Sequence, residues 1–180
     1  MNTKSVKFIF CLKICLIGFI SFGQKNIHHR WNNQLKTYVS ESGKVDYNAW
    51  KKDQNNLNAY IETLSDFPPR EGASKNYKLA YWINAYNSLT IKLILENYPV
   101  KSIKEIKSPW NTRCFKIEDK DYSLGDIEHK ILRKMNEPRI HFAINCASVS
   151  CPKLLNSAFQ EKQLENQLIQ LDFLDLQFFY

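Results

Sequence analysis

Residues 75–98 read KNYKLAYWINAYNSLTIKLILENY, and this stretch decides the fold. Its apolar residues surround a helical axis instead of forming one stripe, which predicts a long helix that is buried on most sides. At about 100° per residue, Asn84, Asn87 and Ser88 share one face of that helix. Because a buried amide without partners costs about 1–3 kcal/mol, we expect this face to meet a polar counterpart. Ser74 is the predicted N-cap.

Two helices are predicted before this central one. Apolar residues recur at helical spacing over 31–39 and the pattern stops at Gly43, which is typical of a helix with a glycine ending. A second helix is predicted over 50–64, and the two prolines at 68–69 close it.

The second half of the chain contains the predicted strands. Residues 113–117 alternate as a strand does, 118–121 have the composition of a turn, and Ser123 with Asp126 resembles a capping box. Over 140–145 apolar and other residues alternate again, which predicts a strand with one polar face. A last helix is indicated by Leu164, Leu168 and Leu171. The predicted fold is α+β, a helix-rich single domain with a buried central helix packed on a small sheet.

The composition excludes several classes of protein. At 180 residues with 44% hydrophobic and 24% charged residues, the chain suits one globular domain and neither a collagen-like nor a disordered protein. The formal charge is +7, but three of the lysines lie in residues 1–23, so the remainder carries only +4. Basic residues are scattered, and we therefore expect no nucleic-acid partner. No cofactor and no metal are predicted.

The first 23 residues have the pattern of a secretory signal. Lys4 and Lys7 supply a positive start, 8–22 is largely apolar, and small residues at its end suit a cleavage site. We predict a signal peptide over 1–23 and a domain over 24–180, working in a secreted or periplasmic location. Membrane contact is expected only through the signal peptide.

Three cysteines remain in the mature chain, and an odd count in an oxidising compartment leaves at least one free thiol. Cys146 and Cys151 could form a local disulfide, could be small buried side chains, or could ligate zinc with His141 and His129. The fourth alternative is that Cys146 is a nucleophilic or redox thiol. Near the mature N-terminus, two further histidines are expected to be solvated, His28 and His29.

A catalytic arrangement is one candidate for this region. Cys146 would be the nucleophile, His141 its base and Asn145 the orienting group. On a strand, His141 and Asn145 face the same side while Cys146 faces the other, so only a bend would bring thiol and imidazole together. Asn84 and Asn87 could bind substrate, although a hydrogen-bonded core network is the competing role for these amides.

Four segments resemble the DUF547 family, a domain of unknown function. They are VDYNAW (45–50), LAYWINAYNSLTIK (79–92), SLGDIEHKILR (123–133) and PRIHFAINCASVSCPKL (138–154). The resemblance covers about 31–168. Its motif positions here are Asn84, Asn87, Glu128, His129, Arg139, His141, Cys146 and Cys151. It adds Arg139 to the candidate substrate-binding residues and implies an exported protein, since family members are often exported bacterial proteins.

A buried central helix followed by a polar histidine is also similar, by analogy only, to papain-like and transglutaminase-like folds. Those folds place the nucleophilic cysteine at the start of the central helix, where this chain has none. Family members continue well beyond the last predicted helix, whereas this sequence ends at residue 180. Its last twelve residues, 169–180, are mostly apolar or aromatic. We therefore hypothesise a C-terminally truncated or frameshifted domain.

The sequence supports two alternative functions. The first is a thiol-dependent hydrolase, transferase or redox enzyme acting on a peptide-like or thiol substrate through Cys146. The alternative is a noncatalytic cell-envelope binding or structural domain with a disulfide between Cys146 and Cys151. In either case the expected partner is a small-molecule or peptide ligand.

Overall fold

A computed structural model of the chain describes residues 26–147 and 151–176, with side chains described up to residue 171. The predicted signal peptide lies outside these residues, and so do residues 177–180 of the segment on which the truncation hypothesis depends. The α-helices are α1 (His29–Tyr38), α2 (Tyr47–Lys52), α3 (Gln54–Asp66), α4 (Lys75–Asn97), α5 (Ile140–Ala143) and α6 (Leu164–Leu176). The strands are β1 (Arg113–Ile117) and β2 (Lys120–Ser123); short 3-10 helices span Ile103–Glu105 and Leu132–Met135, and a π-helix spans Asp126–Ile131. The predicted α+β, helix-rich fold is confirmed.

Helix α4 is the centre of the fold, as its sequence predicts. Ser74 caps it by accepting a hydrogen bond from the Tyr77 amide at 3.0 Å. Helices α2, α3 and α6 and the π-helix all pack against α4, which explains why apolar residues occur on every side of it. The sheet reaches α4 through Trp82, whose ring centroid lies 5.5 Å from that of Tyr122 on β2.

Stacked aromatic rings join the first three helices. Trp31 of α1 stacks on Trp50 of α2 and on Tyr60 of α3, in each case with ring centroids 5.6 Å apart. The expectation that His28 is solvated is wrong: its ring is buried, and its Nδ1 lies 2.8 Å from the Tyr60 hydroxyl. Burial lowers the pKa of His28 to about 4 because the charged form loses its hydration.

The predicted boundaries of the first two helices needed correction. Helix α1 ends at Tyr38, and Gly43, with φ of +81°, turns the chain between Val39 and Val45, which form a β-bridge. The helix predicted over 50–64 is broken at Asp53. The Asp53 backbone, with φ of −113° and ψ of 25°, forms a turn there, in which the Asp53 amide donates to the Trp50 carbonyl and the Asn56 amide donates to the Asp53 carbonyl.

Strands β1 and β2 form an antiparallel hairpin. The predicted turn over 118–121 is too long, because Lys120 and Asp121 already belong to β2. The capping-box prediction is confirmed: the Asp126 amide donates to Ser123 Oγ at 3.1 Å, and Asp126 Oδ2 accepts from the Ser123 amide at 3.0 Å. The helix that follows has π geometry, a rare form that is frequent at functional sites.

The strand predicted over 140–145 is wrong, because these residues begin with α5. The amides of Ile140, His141 and Phe142 donate to carbonyls three residues earlier, which starts a helical turn. The buried residues are Ile140, Ala143 and Ile144, which is helical spacing, although the apolar residues Ile140, Phe142 and Ile144 also alternate. A strand also needs a partner, and in the described ranges the only sheet is the β1–β2 hairpin.

Candidate functional site

The amide face of α4, Asn84 with Asn87, meets the polar counterpart that burial requires. Asn84 Nδ2 donates to the Phe159 carbonyl at 2.8 Å, and its Oδ1 accepts from the Phe159 amide at 3.0 Å. Asn87 binds the Ala143 carbonyl at 2.9 Å and the Asn145 amide at 2.8 Å in the same way. Relative exposures of 0% and 3% leave both side chains in the interior. The core-network role is thus observed, and the substrate-binding role stays a prediction.

Asn145 closes a small loop around the two cysteines. Its Nδ2 donates to the Pro152 carbonyl at 2.6 Å, and its Oδ1 accepts from the Ala147 amide at 2.9 Å. Within this cysteine loop (145–152), Cys146 and Cys151 lie at disulfide distance, with Cα atoms 6.0 Å apart. Both polar atoms of the Asn145 side chain therefore form hydrogen bonds within the loop, and neither orients a histidine.

His141 lies on α5 and is exposed to solvent. Its ring meets the edge of Phe142, with centroids 5.6 Å apart. Across the described part of the chain, no hydrogen bond joins the imidazole to Cys146 or to Asn145. The nucleophile, base and orienter roles thus stay predictions without a supporting contact.

Arg139 connects α5 to α6 through two carboxylates. Its guanidinium binds Glu137, with Nε 2.7 Å from Oε1 and Nη2 2.8 Å from Oε2, and reaches Glu165 Oε1 with Nη1 at 2.7 Å. These charge-assisted bonds lower the pKa of both carboxyl groups and raise that of Arg139. This arrangement gives Arg139 a tethering role in the fold, and its substrate-binding role stays a prediction.

A cavity of about 310 Å³ opens beside α5. This His141 pocket is lined by Arg133, Asn136, Glu137, Pro138, Ile140, His141 and Ile144. Ile140 and Ile144 supply apolar surface, while Arg133 and Asn136 are exposed polar residues. Of the residues singled out from the sequence for catalysis or binding, only His141 lines it.

A carboxylate holds one wall of the His141 pocket in place. Glu128 Oε1, on the π-helix, accepts bonds from Arg133 Nε at 3.1 Å and Nη2 at 2.7 Å. The other oxygen of Glu128 accepts a long bond, 3.4 Å, from the Tyr86 hydroxyl of α4. Arg133 and Asn136 were not predicted as site residues, because exposed polar residues between a predicted helix and Pro138 are ordinarily solvated and give no sign of a pocket.

The zinc alternative receives no support from the geometry. Within 26–147 and 151–176, no group of three or more His, Cys, Asp or Glu side chains is placed to hold a metal ion. His129 is on the π-helix and His141 on α5, and neither joins the two cysteines in such a group.

The family model described as "Protein of unknown function, DUF547" matches residues 70–172, which is more than half of the chain. The chain belongs to the DUF547 family. The matched part of this DUF547 domain contains α4, the π-helix, the His141 pocket and the cysteine loop. Neither a curated protein nor a solved structure matches the chain.

Two further properties of the DUF547 domain bear on its chemistry. Cys114 is a free thiol, and burial raises its pKa to about 11, so it is protonated and unreactive near neutral pH. Among the helices described, none is both long enough and apolar enough to span a membrane.

Proposed function

We propose that this DUF547 domain is an exported binding module that takes a peptide-like ligand in the His141 pocket. The observation that carries the proposal is the pocket itself, with apolar residues and an exposed imidazole that has no hydrogen-bond partner among the described residues. Binding sites for small ligands commonly combine an apolar lining with a few polar groups that set orientation.

The chemistry of the lining matches a short peptide segment. Ile140 and Ile144 can cover an aliphatic side chain, while Arg133, Asn136 and His141 offer hydrogen bonds to the peptide backbone. The bond to Glu128 fixes the guanidinium of Arg133, which reduces the entropy lost when a ligand binds.

The noncatalytic role is favoured by how the neighbouring groups are used. Cys146 lies at disulfide distance from Cys151, and a disulfide removes the thiolate that a nucleophile requires. The side chain of Asn145 forms its hydrogen bonds within the cysteine loop. Export is supported by the pattern of residues 1–23 and by a cysteine pair suited to an oxidising compartment.

A thiol-dependent hydrolase, transferase or redox enzyme is the second candidate. It is favoured by the partial exposure of both cysteines, which would let a substrate reach a reduced Cys146. The two proposals differ in the state of the cysteines and in whether binding survives their replacement.

Thiol mapping separates these two proposals. Exported protein would be alkylated without reductant and analysed by peptide mass. The binding-module proposal expects Cys146 and Cys151 to be joined and resistant to the reagent. Rapid alkylation of Cys146 at a pH well below its ordinary pKa of about 8.5 would instead support the enzyme.

Ligand binding can be tested with acetylated, amidated tetrapeptides carrying one leucine, titrated into labelled protein by NMR. We expect saturable shifts for residues lining the His141 pocket, and a loss of affinity of about tenfold or more in His141→Ala. The matched control is His129→Ala, because His129 is also exposed but does not line the pocket. Equal affinities for the two variants would contradict the proposed site.

A further inference from the structure

The single acidic residue in the lining of the His141 pocket, Glu137, is already paired. Both of its carboxylate oxygens accept hydrogen bonds from the Arg139 guanidinium, at 2.7 and 2.8 Å, and its side chain is only 11% exposed. These bonds lower the pKa of Glu137, so the carboxylate stays charged and bound to Arg139. Among the described residues, the lining therefore offers a ligand no unpaired carboxylate.

The guanidinium of Arg133, by contrast, has donors to spare. Its Nε and Nη2 both donate to one oxygen of Glu128, at 3.1 and 2.7 Å, which holds the group in one orientation. Its Nη1 has no hydrogen-bond partner in the described part of the chain, and 52% of the side chain is exposed. A guanidinium donates and never accepts. Arg133 therefore presents an oriented, positively charged donor at the edge of the pocket.

Two more residues of the lining add hydrogen-bond donors, Asn136 and His141. The backbone of Asn136 is left-handed, with φ of +50°, and its carbonyl accepts a hydrogen bond from Lys75 Nζ at 3.0 Å, so α4 holds this side of the pocket. Neither the Asn136 side-chain amide nor the His141 ring is hydrogen-bonded to another described residue. Together with Arg133, they give one cavity donors from three separate residues.

We propose that the His141 pocket binds the C-terminus of a peptide, with the terminal carboxylate on Arg133 and the last aliphatic side chain against Ile140 and Ile144. This inference rests on the proposed function and narrows its ligand to a peptide end. A carboxylate only accepts hydrogen bonds and matches the flat edge of a guanidinium. Ile140 and Ile144 form the apolar wall beside it. An internal peptide segment has no such anion, so it should bind less tightly.

NMR titration of the labelled protein with two acetylated tetrapeptides tests the inference. Both have the sequence Ala-Ala-Ala-Leu, and one ends in a free carboxylate while the other ends in an amide. We expect the free acid to bind about tenfold more tightly or better, with saturable shifts of the residues lining the pocket. Equal affinities would overturn the inference and leave peptide binding standing. Absence of saturable shifts with both peptides would overturn the binding module as well.

Two further probes identify the source of the carboxylate. Amidated, acetylated Ala-Glu-Ala-Leu has its carboxylate on a side chain, and sodium acetate has one without a peptide. We expect both to bind more weakly than the free acid of Ala-Ala-Ala-Leu. If either binds as tightly as that peptide, the pocket does not recognise a peptide end and the inference fails.

Variants at the pocket test the role of Arg133. Arg133→Gln should weaken binding of the free acid about tenfold and bring it close to that of the amide. Lys134→Gln is the matched control, because Lys134 is the next residue, is exposed and does not line the pocket, so its preference for the acid should change by less than about twofold. Far-UV circular dichroism should show both variants folded. A preference that survives in Arg133→Gln, or that both variants lose equally, would overturn the inference.

Asn136→Gly is a second variant at the pocket. It keeps the left-handed backbone, which glycine adopts readily, and removes only the side-chain amide. Binding of the free acid should fall by about threefold or more relative to binding of the amide. An unchanged ratio of the two affinities would show that the donors of the lining do not bind the carboxylate together.

Discussion

The amide face of α4 and the buried side chain of Gln34 on α1 contain the same chemical group in opposite situations. Asn84 and Asn87 each pair a nitrogen and an oxygen with backbone groups far along the chain. Gln34 is nearly as buried, yet among the described residues only its oxygen has a partner. Burial of a polar side chain therefore does not by itself show that the fold pairs every one of its hydrogen-bonding atoms.

The largest expected effect comes from breaking the amide face. Asn87→Leu should lower the free energy of unfolding by about 3–4 kcal/mol, because the carbonyl of Ala143 and the amide of Asn145 would both lose their buried partner. Urea denaturation measures the change. Asn97→Leu, at an exposed site on the same helix, should cost less than about 0.5 kcal/mol. A loss for Asn87→Leu that is as small as the loss expected for Asn97→Leu would mean that the hydrogen bonds of Asn87 do not stabilise the fold.

The buried ring of His28 is paired with Tyr60, and its lowered pKa predicts that the free energy of unfolding depends on pH. Its pKa is about 4 in the folded state and about 6.5 when unfolded, so between these values only the unfolded chain takes up a proton. Stability should be full above pH 6.5 and fall by up to about 3 kcal/mol as the pH drops to 4. His28→Gln should remove this part of the pH dependence in urea melts. An unchanged profile in the variant would refute the assignment.

The cysteine loop should have an intermediate effect. If Cys146 and Cys151 are joined, replacing both by serine should cost about 2 kcal/mol, as expected for closing a short loop. Thermal unfolding without reductant measures the loss, and the same protein with reductant provides the comparison. Peptide binding should persist in the variant. Loss of binding or of an activity without loss of stability would favour the thiol enzyme.

The smallest expected effect on stability is at His141, whose ring forms no hydrogen bond with the residues described. His141→Ala should change the free energy of unfolding by less than about 0.5 kcal/mol, because the side chain is exposed. A calorimetric comparison with His129→Ala checks this. Destabilisation by several times that amount would place His141 with the structural amides instead of the binding residues.

Much of the fold could be predicted because its signals are local. The Ser74 cap, the burial of α4, the hairpin strand over 113–117 and the Ser123–Asp126 capping box each depend on residues within a few positions of one another. The failures also have local causes. Over 140–145 the apolar residues alternate while the buried ones have helical spacing, and a backbone turn at Asp53 interrupts a helix that propensity alone would continue.

The candidate sites were less predictable than the fold. His141 was found because its residue type is rare and chemically versatile. Arg133 and Asn136 were not found, because arginine and asparagine near the end of a helix are ordinary solvated residues unless tertiary contacts say otherwise. The π geometry around Glu128, which directs this carboxylate towards Arg133, also has no recognised sequence signal.

The sequence by itself determined family membership, the central helix and the presence of a polar face that had to be paired. Only the tertiary structure decided which atoms pair. Asn87 meets Asn145 from 58 residues away, and Asn84 meets Phe159 from 75 residues away. Periodicity indicates which side of a helix is buried, but its partners come from the packing of distant segments. The same packing leaves Gln34 Nε2 without a partner in the part of the chain that the structure describes.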